Sequence, residues 1–259
     1  MIRTSLSRLM RSSPLDVTSD EYAESHREAI VKKVIPRSAF DEVYGRFADI
    51  AGPLSEDGST VELGAGLSLI KEVYPFVNTA DIRDLPGIDM VMDALDTGFE
   101  DGTIHAVLGV NLFHHVADPG LFLAEMARIL KPGGKLVLVE PSRTVLSRFV
   151  HSSIHEDEYF DLNEPHNHVM VSGPLSGANQ ARIHLFLDAA TEEGLLPQGL
   201  KLVKREFLRQ TVRYLVSGGL NFRALAPASF LPVVVWLESL VWPFRQFFSL
   251  HEMFIFERE

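Results

Sequence analysis

Cysteine is absent from the 259 residues. Its absence excludes a disulfide framework, a thiolate metal site and a thiol nucleophile. Basic residues are scarce beside acidic ones, 24 against 35, for a formal charge of -11. That balance disfavours a polyanion such as nucleic acid as partner, because its binders concentrate Lys and Arg. A small, neutral or cationic ligand suits the chain better. Long apolar runs are also missing: the longest uncharged apolar stretch, Ala224 to Leu237, is broken by Pro227 and Pro232 and falls short of the ~20 residues of a membrane span. The opening "MIRTSLSRLMRSSP" is basic and mildly amphipathic but has no apolar h-region, so the expected compartment is cytoplasmic.

What is present is a hydrophobic fraction of 46%, enough for one substantial core in a single domain. Apolar spacing over Glu21 to Leu54 predicts two amphipathic helices broken near Pro36, an N-terminal cap over 1–59. Four short apolar runs then read as buried strands: Thr60 to Leu63, Phe76 to Ala80, Met90 to Met92 and Ile104 to Val110. "PGLFLAEMARILKPGG" is an amphipathic helix with its end marked by Lys131 to Gly134, and "KLVLVEP" is a fifth strand. Strands alternating with helices over 60–141 imply a Rossmann-like doubly wound α/β sheet whose ligand site lies at the strands' carboxyl ends. The segment 142–178, rich in His and acids without clear period, reads as an excursion over that end. A helix from about Asn179 to Glu193, a strand at Leu202 to Phe207 and a last strand in "HEMFIFERE" complete a mostly parallel sheet of seven, with the last strand antiparallel. Between those strands, 208–250 is an apolar helical insertion, the second at the active-site end.

"VELGAG" places Glu62 immediately before a turn made by Gly64 and Gly66. The third glycine of a dinucleotide fingerprint is lacking, since Leu69 holds that place. A turn serving helix packing is one reading. A pyrophosphate would be repelled by the carboxylate, whereas a cationic ligand would be attracted. S-adenosylmethionine is such a ligand, with an ammonium, a sulfonium, ribose hydroxyls and an adenine. Asp81, ending the second strand, can accept ribose hydroxyl protons, its alternative being a cap or turn role. Asp93, after the third strand, can accept from the adenine amino group beside the Ala94 backbone, its alternative being ordinary turn chemistry. Asn111, leaving the fourth strand, falls beside the methionine part of such a cofactor.

The order of these motifs, from "VELGAG" through "VMDALDTGFEDGTIHAVLGVNLFHHV" to "LKPGGKLVLVEP", resembles the class I S-adenosylmethionine-dependent methyltransferases, in a small-molecule, type 11-like branch related to quinone-pathway enzymes. The resemblance covers roughly Thr60 to Pro141 and implies S-adenosylmethionine as cofactor, held by Glu62, Gly64, Gly66, Asp81, Asp93, Ala94 and Asn111. Pro75 shortens the helix after the glycines, which leaves the register of Asp81 open. More loosely, "HEDEYFD", "GPLSGAN" and "RYLVSGGLNFRAL" are similar to segments of bacterial methyltransferases associated with surface-polysaccharide synthesis.

Methyl transfer from a sulfonium needs alignment and a dry pocket above all. A hydroxyl acceptor adds the need for a base or a metal. His114 and His115 follow the fourth strand, and His151, His155, Glu156, Asp157, His166 and His168 populate the excursion. His155 and Glu156 are the preferred candidate bases, His115 the next. Each also has a bland reading, as a packed imidazole or part of a solvated acidic loop. No fixed metal motif such as H-E-x-x-H occurs, and no metal is expected. The insertion, with both tryptophans and flanking Arg223 and Arg245, reads as a lid on the core, a dimer surface or a peripheral patch over 222–250 that meets a lipid-linked or glycan acceptor. The oligomeric state stays open. The functional expectation is O-methyl transfer to a small or glycan-like acceptor. Its alternatives are a non-catalytic member of the fold or, against Glu62 and the missing glycine, a nicotinamide-dependent oxidoreductase.

Overall fold

The computed structural model describes residues 27, 30–52, 54, 59–154, 159–167, 179–218 and 224–259. Its seven strands, β1 (Thr60–Leu63), β2 (Asn78–Asp81), β3 (Met90–Val91), β4 (Ile104–Val110), β5 (Leu130–Pro141), β6 (Leu200–Phe207) and β7 (His251–Arg258), form one sheet in the order β3-β2-β1-β4-β5-β7-β6. β7 runs antiparallel to both neighbours and the other pairings are parallel. The sheet is thus Rossmann-like, as the strand and helix rhythm predicts.

Period-two alternation sends the strands' side chains to two cores. Val61, Leu63, Leu136, Leu138, Phe254 and Phe256 meet α2 (Pro119–Ile129) and α4 (Arg182–Glu193) on one face. Leu108, Val137, Val139, Met253 and Ile255 meet α1 (Val34–Ala51) on the other, through Val43, Tyr44 and Phe47. The break expected near Pro36 lies at Lys33, so that Pro36 falls in the first turn of α1, where no N–H donor is required. The connection after β1 is reduced to a 3-10 turn, Leu69–Glu72, so α1 rather than a crossover helix covers this face.

Two boundaries differ from expectation. α2 stops at Ile129 and Leu130 already pairs with Ile104, so "LKPGG" enters the sheet as an irregular start to β5 instead of ending the helix. The excursion begins with a helix, α3 (Val145–Ile154). Thr144 caps it, its Oγ1 accepting the Ser147 N–H at 3.1 Å. The insertion is helical, as expected: α5 (Thr211–Ser217), α6 (Leu231–Val241) and α7 (Arg245–Phe248). Because β6 is parallel to the central strands and β7 returns, the insertion and α3 rise from the same rim as the turn after β1.

Candidate active site

Strand order reverses between β1 and β4, so a crevice opens there beyond the strand ends. Gly64 lets β1 leave the sheet beneath β4's exit: its φ is +63, and a Cβ on it would meet Leu112 Cδ1 at 2.7 Å. Gly66, also at positive φ, gives its N–H to Asp81 Oδ2 at 3.0 Å. The other oxygen of Asp81 accepts from the backbone and side chain of Arg83, at 3.0 and 3.2 Å. Arg83 was not singled out in the sequence, yet it leans over the turn, 3.9 Å from where a Gly66 Cβ would stand.

Glu62 points to the α1 side of β1. The residue is 2% exposed; Oε1 accepts from the Tyr44 hydroxyl at 3.3 Å, while Oε2 is buried with no hydrogen-bond partner among the described residues. Burial, weakly opposed by Tyr44, pushes the carboxyl up to about 8. An orphaned carboxylate oxygen under a glycine turn is costly unless a ligand completes it. Across the crevice, Asn111 takes the left-handed conformation, φ 53, and its Oδ1 is likewise buried without a partner among the described residues. Asp93 is exposed beyond β3, and its Oδ1 accepts the Leu95 N–H at 2.9 Å, the turn chemistry that stood as its alternative. Ala94 beside it is half-buried.

The histidine pair sits at the exit of β4. Glu140, fully buried near the end of β5, accepts the N–H groups of Leu112 and Phe113 at 2.8 and 2.7 Å through Oε1, and its Oε2 contacts His114 Nδ1 at 2.5 Å. Glu140 thereby fixes the turn that carries both imidazoles. Its partners lie 26 to 28 residues earlier, so no local motif marks it. His115, its ring 4.2 Å from that of His114, is pushed down to about 2, first by burial and then by the charges of His114 and Arg83. A ring held neutral so firmly is a weak base near neutral pH.

Of the excursion's candidates, His151 lies on the buried side of α3 with its ring 6.1 Å from that of His251. His166 is half-buried on the surface segment 159–167. His155, Glu156, Asp157 and His168 lie outside the described residues. Among the described residues, no three His, Asp or Glu side chains converge as a metal site would require. No described helix is long and apolar enough to cross a membrane.

Comparison with known proteins gives this constellation relatives. The family described as a methyltransferase domain matches residues 66–138. Phthiotriol/phenolphthiotriol dimycocerosates methyltransferase 1 of Mycobacterium ulcerans is 30% identical over 231 residues, 81% of this chain and 77% of that protein. Highly reducing polyketide synthase azaB of Aspergillus niger is 32% identical over 74 residues, 29% of this chain. The chain therefore spans only 3% of that synthase's length. Among solved structures, geranyl diphosphate C-methyltransferase from Streptomyces coelicolor A3(2), in complex with S-adenosyl-L-homocysteine, has a TM-score of 0.50 at 15% identity, covering 85% of this chain and 76% of that one. A SAM dependent methyltransferase from Archaeoglobus fulgidus has the same score, 0.50, and the same identity, 15%, over 86% and 94%. At such identities the structural likeness is one of fold.

Proposed function

This chain belongs to the class I S-adenosylmethionine-dependent methyltransferases, and we propose that it methylates a hydroxyl oxygen on a small, lipid-linked or glycan-like acceptor presented at the carboxyl ends of β4 and β5. The observation that carries the cofactor half is the pair of buried atoms without a partner among the described residues, Glu62 Oε2 and Asn111 Oδ1, on either side of the crevice. When bound, S-adenosylmethionine supplies an electrophilic methyl group on a sulfonium centre.

In this reading Glu62 sets a negative charge beneath the cofactor's cationic end, and Gly64 and Gly66 allow the backbone to approach closely. Asp81 receives the ribose hydroxyls, Asp93 and Ala94 the adenine, and Asn111 the methionine part. The imidazoles gathered at the ends of β4 and β5, His114, His115 and His151, support a hydroxyl acceptor over an amine. His115, neutral throughout the working range, orients that hydroxyl. Removal of its proton falls to His155 or Glu156 of the excursion. Alignment in a water-poor cleft provides the remaining acceleration.

Calorimetric titration with S-adenosylmethionine, S-adenosylhomocysteine and NAD tests the reading, with binding of the first two and not the third as the expected result. NAD binding alone would transfer the chain to the oxidoreductases. Cofactor binding without methyl loss across a panel of hydroxyl-bearing acceptors would favour the non-catalytic alternative.

A further inference from the structure

Two helices on the catalytic rim carry large apolar side chains on their outward faces. In α6 the buried positions are Val234 and Glu238, one turn apart, while Val233, Val235, Trp236, Leu237 and Leu240 face outward, Trp236 at 60% exposure. In α3 Ser147 and His151 are buried beside Val150, while Val145 and Phe149 are exposed, Phe149 at 64%. The two segments adjoin, because α3 packs against α7, where Phe247 and Phe248 are also exposed. The polar atoms turned inward have work there. Glu238 accepts from the Arg213 backbone at 2.9 Å and from its Nε at 2.8 Å. Arg213 also donates to Ser38 O at 2.9 Å and to Glu42, pinning the insertion to α1. Ser147 Oγ donates to Leu250 O at 3.0 Å.

Charge on these segments opposes that of the chain. Residues 142–154 and 208–250 hold the arginines 143, 148, 209, 213, 223 and 245 and a single acid, Glu238, in a chain of formal charge -11. That acid is buried. Arg148, Arg209 and Arg245 are exposed. The guanidinium groups of Arg209 and Arg245 stack on Trp242, 4.7 and 5.1 Å from its ring, around a cleft that Thr211 and Ser249 also line.

We infer that this face is an interfacial docking surface for a bilayer of anionic lipids, with Phe149, Trp236, Leu240, Phe244 and Phe248 entering the acyl boundary and Arg148, Arg209 and Arg245 meeting phosphate headgroups. Apolar residues ringed by arginine are what such a boundary receives. A second copy fits less well, since a twofold contact would set arginine against arginine. The acidic remainder of the chain is repelled by the same surface, which orients the rim, and with it the crevice, toward the membrane. The inference rests on the methyltransferase reading for its purpose and names that enzyme's acceptor as one that resides in, or is anchored to, a bilayer.

The test is cosedimentation of the full chain at low salt with vesicles of phosphatidylcholine and with equimolar phosphatidylcholine and phosphatidylglycerol. The anionic vesicles should capture it preferentially, and added salt should release it. Arg209→Gln with Arg245→Gln should weaken capture by about fivefold per arginine. Phe149→Ser with Trp236→Ser should abolish it, with circular dichroism and S-adenosylmethionine titration unchanged. Full recovery in the supernatant with both vesicles overturns the inference, as does a solution dimer that ignores vesicles and that the Phe149 and Trp236 changes dissociate. If vesicles fail and the cofactor still binds, docking alone falls. If vesicles bind and the cofactor does not, the activity falls.

Discussion

Glu62 and Glu238 are both buried, 2% and 4% exposed, and both lie against partners of α1, yet their surroundings differ. Glu238 has both oxygens engaged by Arg213, which extends the network to Ser38 and Glu42. Among the described residues, Glu62 has one long bond to Tyr44 and an oxygen with nothing to accept from. A satisfied buried carboxylate holds elements together. An unsatisfied one is a standing cost to the protein without ligand, and such costs collect where binding repays them.

The comparison can be broken most sharply at Glu238. Replacing it with Ala leaves the buried Arg213 with only Ser38 and Glu42 of its partners above, and urea unfolding should show a loss of about 3 kcal/mol. Equal losses from Glu238→Ala and Glu62→Gln would erase the distinction. At Glu62 the expected signature is pH dependence. Its folded value, about 8, lies above the ordinary 4.5, so its contribution to stability is fully present below pH 4.5 and is lost as pH rises through 8. Without cofactor, the chain should therefore weaken over that window, and Glu62→Gln should remove the slope. Cofactor affinity should move oppositely, rising by up to about tenfold per pH unit toward 8 as the cation favours the carboxylate. Calorimetry in buffers of different ionisation enthalpy would detect the released proton. The smallest effect belongs to the outward face of the insertion: Trp236→Ser should alter unfolding free energy by no more than about 0.5 kcal/mol. A loss typical of a core aromatic would mean that this face is covered.

Much of the sheet could be read from local pattern, because strands buried on both faces are short apolar runs and the glycine turn carries its own signature. Gly194 stops α4 in the left-handed conformation just where the periodicity ends. The α3 helix does not fit the amphipathic template, because its outward face mixes Val145 and Phe149 with Arg148 and its inward face mixes Val150 with Ser147 and His151. Thr144 before "VLS" was the signal available. The roles of Glu140 and Arg213 were not legible. Glu140 acts on a turn 27 residues earlier, and Arg213 on Glu42, 171 residues away. Such pairings are made by the fold rather than by neighbouring sequence. For the site itself, the chain announced the glycine turn and Glu62, but not that Tyr44 of α1 would donate to that carboxyl.

Strand β6 has a single neighbour in the sheet, and that neighbour is β7. During synthesis the growing sheet can extend only as far as β5 until residues 251–258 emerge, so β6 and the whole insertion leave the ribosome before any strand exists to receive them. The greasy helices of 208–250 are thus made after α1, to which Arg213 ties them, but before the strand that joins β6 to the sheet.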